Sequence, residues 1–290
     1  MKIKVVANYD SDINIYNSVL NCFGIDESIQ LTLDDEEADF LFVINGYDTS
    51  KIKHPRNKIF GLLQEPKGNI NYDRNLPFYC SRIFCQSKEM FNSYKGIIET
   101  PMCMFYSHHT STSKEQFLSY KNFDNRKKLC IIMSSIKNPN NTNWLDHNYE
   151  KRYKLINLLL NSDLDFDFYG RGWNLSDSRY KGEATNKHEI LKKYEYSIAI
   201  ENVCEKNYAS EKLFDCFLNN TVPLYYGCPN VDELYKSGSY ELIDIESENV
   251  VENIRKILEN SNESYRDNLL LSKNKYFDKY NIYNLARIVL

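Results

Sequence analysis

The sequence predicts two α/β domains of parallel strands in tandem, and three observations carry that prediction. The chain has 290 residues, more than one core usually supports, so two domains of roughly 100–150 residues are expected. A β-α-β pattern begins at the first residues, with apolar runs at Lys2–Asn8 and Asp39–Ile44 around a helical spacing over Ile13–Phe23. A second such unit fills Tyr194–Gly227: a buried-strand run at Tyr196–Ile200, a loop, a helix with Leu213, Phe214, Phe217 and Leu218 on one face, and a strand at Val222–Tyr226.

In chain order, Ile15, Val19, Leu20 and Phe23 give the first helix its apolar face, and Asn45-Gly46 closes the second strand in a turn. A third strand, Lys58–Leu63, runs into Gln64-Glu65-Pro66. This puts Glu65 at a carboxyl strand end, where open α/β sheets bind ligands. A short strand at Ile83–Cys85 and a polar helical segment at Ser87–Tyr94 follow. From Tyr106 to Asn125 the composition turns to Ser, Thr, Lys, His and Asn, so this stretch is the linker candidate. Lys128–Ser134 opens a second β-rich set. An amphipathic helix at Tyr149–Leu160 carries Arg152 near its start, and the strand Phe166–Tyr169 ends in Gly170-Arg171-Gly172. Beyond Gly227, a helix start at Asn230–Leu234, a strand at Tyr240–Asp244 and helical patterns at Val250–Asn260, Asn262–Tyr280 and Tyr283–Leu290 are expected.

Composition excludes several function classes. The net charge is −4 and no basic run exceeds a few residues, which disfavours electrostatic binding of nucleic acid. The eight cysteines lack C-x-x-C spacing and read as reduced, mostly buried thiols of a cytosolic protein, free or peripheral at a membrane. No targeting segment and no membrane span is expected. A dehydrogenase reading fails because no G-x-G-x-x-G turn follows the first strand. The adjacent His108-His109 read as solvated loop rather than a metal pair, and Asp163, Asp165 and Asp167 fall on one face of a strand without forming an expected metal site.

The chemistry concentrates in the loop and helix start between the strands of 194–227. Ser210 is in N-cap position, Glu211 suits the first turn, and Lys212 adds a cation beside bare helix N–H groups, a combination that attracts an anion. Glu201, Asn202 and Tyr208 surround the same potential phosphate site.

This stretch, SIAIENVCEKNYASEKLFDCFLNNTVPLYYG, resembles the donor-binding signature of the α1,3/4-fucosyltransferases of glycosyltransferase family 10. The matching residues are Glu201-Asn202, Tyr208, Glu211-Lys212, Thr221-Val222-Pro223 and Gly227; Ser210 stands for the usual Thr and Val203 for the usual Ser. The resemblance implies a GT-B fold, with two Rossmann-like domains facing a cleft and a C-terminal helix crossing back to the first domain. The expected division is an acceptor-side domain at 1–122, a nucleotide-sugar domain at 123–275 and a returning helix at 276–290. It further implies that Arg152 and Lys212 bind a diphosphate and Glu211 the ribose, with Asn202, Tyr208, Ser210 and Gly170 around the donor. Glu201 would lie near the sugar, and Glu65 would be the general base. The implied activity is inverting transfer of fucose from GDP-fucose to a glycan hydroxyl, with no metal or other cofactor. The alternatives are another GDP- or dTDP-linked hexose on the same fold, or an inert nucleotide- or glycan-binding module.

Overall fold

The computed structural model describes residues 1–67, 71–91, 94–102, 112–135, 148–260 and 264–289. His108, His109, His147 and Cys103 lie outside them. The chain divides into two compact units. Unit one comprises Met1–Lys114, Glu205–Tyr208 and Phe277–Leu290, and unit two Glu115–Cys204 and Ala209–Tyr276.

Unit one contains strands β1 (Lys2–Ala7), β2 (Gln30–Leu31), β3 (Phe40–Ile44), β4 (Ile59–Leu62), β5 (Arg82–Cys85) and β6 (Ile97–Glu99). They form a parallel sheet in the order β2-β1-β3-β4-β5-β6. Every residue of β3 after Phe40 and every residue of β4 is buried, as expected for strands covered on both faces. Helix α1 (Asp12–Phe23) starts where Ser11 accepts the Asn14 amide and stops at Gly24, whose φ of +74° suits a residue without Cβ. A short α2 (Leu76–Tyr79) follows β4. The segment 88–90 is a single 3-10 turn rather than the polar helix expected over Ser87–Tyr94, because the Ser87 hydroxyl caps Glu89 and Phe91 leaves in extended conformation.

Unit two contains β7 (Lys127–Ile132), β8 (Asp167–Tyr169), β9 (Tyr194–Ile200), β10 (Val222–Tyr226) and β11 (Glu241–Leu242), in the parallel order β11-β10-β9-β7-β8. Around the sheet run α3 (Lys114–Ser119), α4 (Tyr149–Leu160), α5 (Lys187–Leu191), α6 (Glu211–Leu218), α7 (Val231–Leu234), α8 (Val250–Glu259) and α9 (Tyr265–Lys279), the first and last of these crossing the unit boundary. Numbered within its own unit, each sheet reads 2-1-3-4-5, with a sixth strand added in unit one. Strand order reverses beside the first strand, between β1 and β3 in one sheet and between β7 and β9 in the other. Doubly wound sheets bind ligands at such switch points.

Helix α10 (Ile282–Val289) belongs to unit one, where the Tyr283 hydroxyl donates to the Gly24 carbonyl at 2.8 Å and Arg287 pairs with Asp26. Residues 114–120 are packed rather than a solvated linker. Phe117 is fully buried, its ring 4.9 Å from that of His188. The carboxylates of the D-L-D-F-D stretch also go separate ways: Asp163 pairs with Arg255 at 2.6 Å, while Asp167 pairs with Lys127 and Lys181.

Lys273 is 1% exposed, and its ammonium donates to the Phe117 and Tyr120 carbonyls and to the Asn220 side-chain oxygen at 3.1, 3.2 and 2.6 Å. Burial, with Arg126 and Lys121 nearby, lowers its pKa to about 7. The unfolded chain therefore binds an extra proton between about pH 7 and the ordinary lysine range near 10.5. Stability from this group rises with pH across that window by up to about 1.4 kcal/mol per unit. Lys273→Met should flatten that rise in urea-unfolding stabilities measured from pH 7 to 10; an unchanged slope contradicts the assignment.

Candidate functional site

The site is built on the end of β9. Asn148, just before α4, donates its backbone N–H to the Asn202 carbonyl at 2.7 Å and its side-chain amide to the Glu201 carbonyl at 3.1 Å. One turn later Arg152, 6% exposed, donates to the Ile200 carbonyl at 2.6 Å and the Asn202 side-chain oxygen at 2.9 Å. Its guanidinium also lies over the Tyr149 ring at 4.9 Å. Arg152 is thus held in place before any ligand arrives.

Glu201, expected beside a sugar, is fully buried and does not line the pocket described below. Its carboxylate accepts from the Ser210 backbone N–H at 2.7 Å, from the Ser210 hydroxyl, and from the Tyr225 hydroxyl at 3.3 Å. Lys212 stands 3.7 Å away. Burial raises the Glu201 pKa, opposed by Lys212 and the Ser210 hydrogen bonds. The carboxylate therefore closes the loop that leaves β9 onto the start of α6. The Ser210 oxygen completes the arrangement by accepting from the Lys212 backbone N–H at 3.4 Å and from its ammonium at 3.0 Å. Serine serves where the related signature has threonine because the cap needs only the hydroxyl. Gly227 leaves room for this clamp: a Cβ there would stand 2.3 Å from the Glu201 Cγ.

A cavity of about 350 Å³ opens at the switch point between β7 and β9. Ile132, Met133 and Ser134 from the β7 end and Ser197 to Ile200 from β9 form its floor, and α6 contributes Glu211, Lys212, Asp215 and Cys216. Four cations line it: Arg152, Arg171, Lys187 and Lys212. Burial alone would raise the Glu211 pKa, but Lys212 and Lys187 bring it down to about 2, so this carboxylate is ionised at neutral pH. Gly170 does not line the cavity; it shapes its floor, since a Cβ there would overlap the Met133 carbonyl oxygen at 1.8 Å.

Of the residues singled out from sequence, Arg152, Asn202, Glu211 and Lys212 meet in this cavity, with Ser210 directly behind it. Tyr208 is buried and belongs to unit one, and it is absent from the lining. Glu65 lies just after β4 in unit one, where its carbonyl accepts from the Gln86 side chain at 3.3 Å. Sequence reasoning missed Arg171 and Lys187. The available signals were the position of Arg171 between two glycines at a carboxyl strand end and that of Lys187 directly after Asn186, which caps α5.

The model of the glycosyltransferase family 10 (fucosyltransferase) C-terminal domain matches residues 123–269, half of the chain. Alpha-(1,3)-fucosyltransferase B of Drosophila melanogaster is 24% identical over 267 residues, covering 85% of this chain and 57% of the fly protein. The chain thus spans little more than half the length of that relative. Alpha-(1,3)-fucosyltransferase FucT of Helicobacter pylori is 33% identical over 55 residues, 19% of this chain and 12% of the bacterial protein. Among solved structures, an α1,3-fucosyltransferase superposes with a TM-score of 0.56 at 18% identity, covering all of this chain and 90% of that one. An α1,3-fucosyltransferase with GDP-fucose gives 0.51 at 19%, covering 97% and 81%. The fold is accordingly that of the GT-B enzymes. Among the described residues no helix is long and apolar enough to cross a membrane.

The clamp predicts a graded response. Glu201→Ala leaves the Ser210 N–H and the Tyr225 hydroxyl without their acceptor and should cost about 2–3 kcal/mol by chemical denaturation. Glu201→Gln keeps an acceptor and should cost less. Because the folded pKa is raised, wild-type stability should fall as pH rises from the ordinary glutamate range through the raised value, and Glu201→Gln should remove that fall. Equal destabilisation by the two substitutions contradicts the clamp.

Proposed function

The chain belongs to glycosyltransferase family 10, the fucosyltransferase family, and from that premise we propose that it transfers fucose from GDP-fucose to a glycan hydroxyl with inversion at the anomeric carbon. The observation that supports this reading most is the cavity at the unit-two switch point. It gathers Arg152 and Lys212 beside the N-terminus of α6, with the ionised Glu211 between its cations. A diphosphate is a dianionic or trianionic leaving group, and fixed cations stabilise the charge it gains as the glycosidic bond breaks. Arg152 and Lys212 fill that role here, without a metal ion, while Glu211 accepts from ribose hydroxyls and Asn202 orients Arg152.

In the proposed reaction the acceptor hydroxyl oxygen attacks the fucose C1 as its proton passes to the carboxylate of Glu65, the proposed general base. The C1–O bond to the β-phosphate breaks, and its electron pair leaves with GDP. Glu201 has a supporting part: its burial keeps it from the sugar, and its bonds to Ser210 hold the α6 N-terminus toward the diphosphate. Gly170 and Ser210 likewise support the donor site, whereas Tyr208 is proposed to act from unit one.

GDP at a hundredfold excess over its Kd should raise the melting temperature by about 5 °C or more, and by more than UDP or ADP does. Lys212→Ala should weaken GDP binding about 10- to 100-fold. An unchanged melting curve with GDP sinks the donor assignment. Glu65→Ala should keep the GDP shift and lower the transfer kcat about 10²- to 10⁴-fold; full turnover in that variant removes Glu65 as the base.

A further inference from the structure

Three charged side chains of the cavity, Lys212, Glu211 and Lys187, meet at one carboxylate oxygen. The Lys212 ammonium is 3.2 Å from Glu211 Oε1, and the Lys187 ammonium is 3.9 Å from the same oxygen. Lys187 is also hydrogen-bonded to Oδ2 of Asp215 at 3.3 Å. Asp215 sits one helical turn beyond Glu211 along α6 and is 1% exposed. A carboxylate within reach of two cations offers one partner to each part of a nucleoside diphosphate: phosphate, ribose and base.

We infer that Lys187, held by Asp215, reads the nucleobase of the donor through a carbonyl oxygen on the base edge. This rests on the reading of the cavity as a nucleotide-sugar site and adds the residue that selects the nucleotide. Two features separate Lys187 from the phosphate-binding cations. Lys212 is hydrogen-bonded to Ser210 at the N-cap of α6, whereas Lys187 is tied to Asp215 a turn further along, away from the helix start that attracts phosphate. Lys187 also shares a helical face with Leu191, four residues on, and both line the cavity with Ile132, Ile198 and Ala199. Aliphatic walls of this kind suit the flat faces of a heterocycle, and a lysine at the edge adds direction.

An ammonium offers donors only, so it selects by what the base presents. Guanine carries O6 and N7 side by side as acceptors, a pair that lysine recognises well, whereas adenine puts an amino donor beside N7. Lys187 is therefore matched to a 6-oxopurine and opposed to a 6-aminopurine. Asp215 acts as a positioning residue, fixing the ammonium by one oxygen while the other faces His188 Nε2 at 3.9 Å.

The test measures the Kd of GDP, IDP and ADP by calorimetry for wild type, Lys187→Ala, Lys187→Gln and Lys212→Ala. Wild type should prefer GDP and IDP to ADP. Lys187→Ala should weaken GDP and IDP about 10- to 100-fold with little change for ADP, collapsing the ratio. Lys187→Gln, which keeps a donor, should retain part of the preference. Lys212→Ala should weaken all three about equally. Asp215→Asn should lower the GDP-to-ADP ratio in proteins whose melting shows them folded. Equal weakening of GDP and ADP in Lys187→Ala overturns the base assignment and leaves the transferase reading intact. A wild type that binds no nucleoside diphosphate overturns both.

Discussion

A carboxylate enclosed entirely by protein holds the cavity side of unit two in shape. Glu201 sits at the end of β9 with no solvent contact, and a charge so placed persists only if hydrogen bonds replace its hydration. The replacements come from Ser210 and Tyr225, respectively nine and 24 residues further along the chain. Satisfying one side chain therefore fixes the exit of β9, the entry of α6 and the end of β10 together. Gly227 must be small for the same reason, and Tyr225 must keep its hydroxyl turned inward, where it also accepts from the Cys228 backbone N–H at 3.1 Å. Two of the four cavity cations are mounted on this arrangement, Lys212 through the Ser210 oxygen and Arg152 through the Ile200 carbonyl.

The same topology appears in both units, and it explains where the polar residues gather. In unit two the reversal between β7 and β9 separates two strand ends, and the gap is the cavity. Gly170 lets the end of β8 come against β7 closely enough to form the floor. In unit one the corresponding reversal lies between β1 and β3. There Asn45, buried and at a φ of +59°, accepts from the Gln64 backbone N–H through its side chain at 2.8 Å. Gln64 in turn accepts from the Tyr9 hydroxyl at 3.2 Å, so the stretch leading into Glu65 is tied to the switch point of its own sheet.

Periodicity made most of the fold readable from sequence. Strands buried on both faces, such as β3, β9 and β10, announce themselves as mostly apolar runs, and α1, α4 and α6 by their spacing. Strands β2 and β6, of two and three residues, are too short to leave a pattern. Helix α3 was hidden because its short polar sequence buries one residue, Phe117, and packs with Lys273, which lies 156 positions away. At the site, residue type and spacing pointed to Lys212, Glu211 and Asn202, and the family resemblance added Arg152; all four line the cavity. Residue type and spacing could not tell which way Glu201 points, because that depends on distant partners. Lys187 left only a weak signal, its place directly after the capping Asn186, because the lysine acquires meaning only when Asp215 and Glu211 fold against it.

The proposed transfer requires that the unit-two cavity hold the diphosphate of the donor at the start of α6. A crystal structure of the protein with GDP measures that directly. The account predicts the β-phosphate within hydrogen-bond distance of the Lys212 ammonium and the Arg152 guanidinium, with ribose hydroxyls on Glu211. A nucleotide bound elsewhere, or one in this cavity with its diphosphate turned away from both cations, contradicts it.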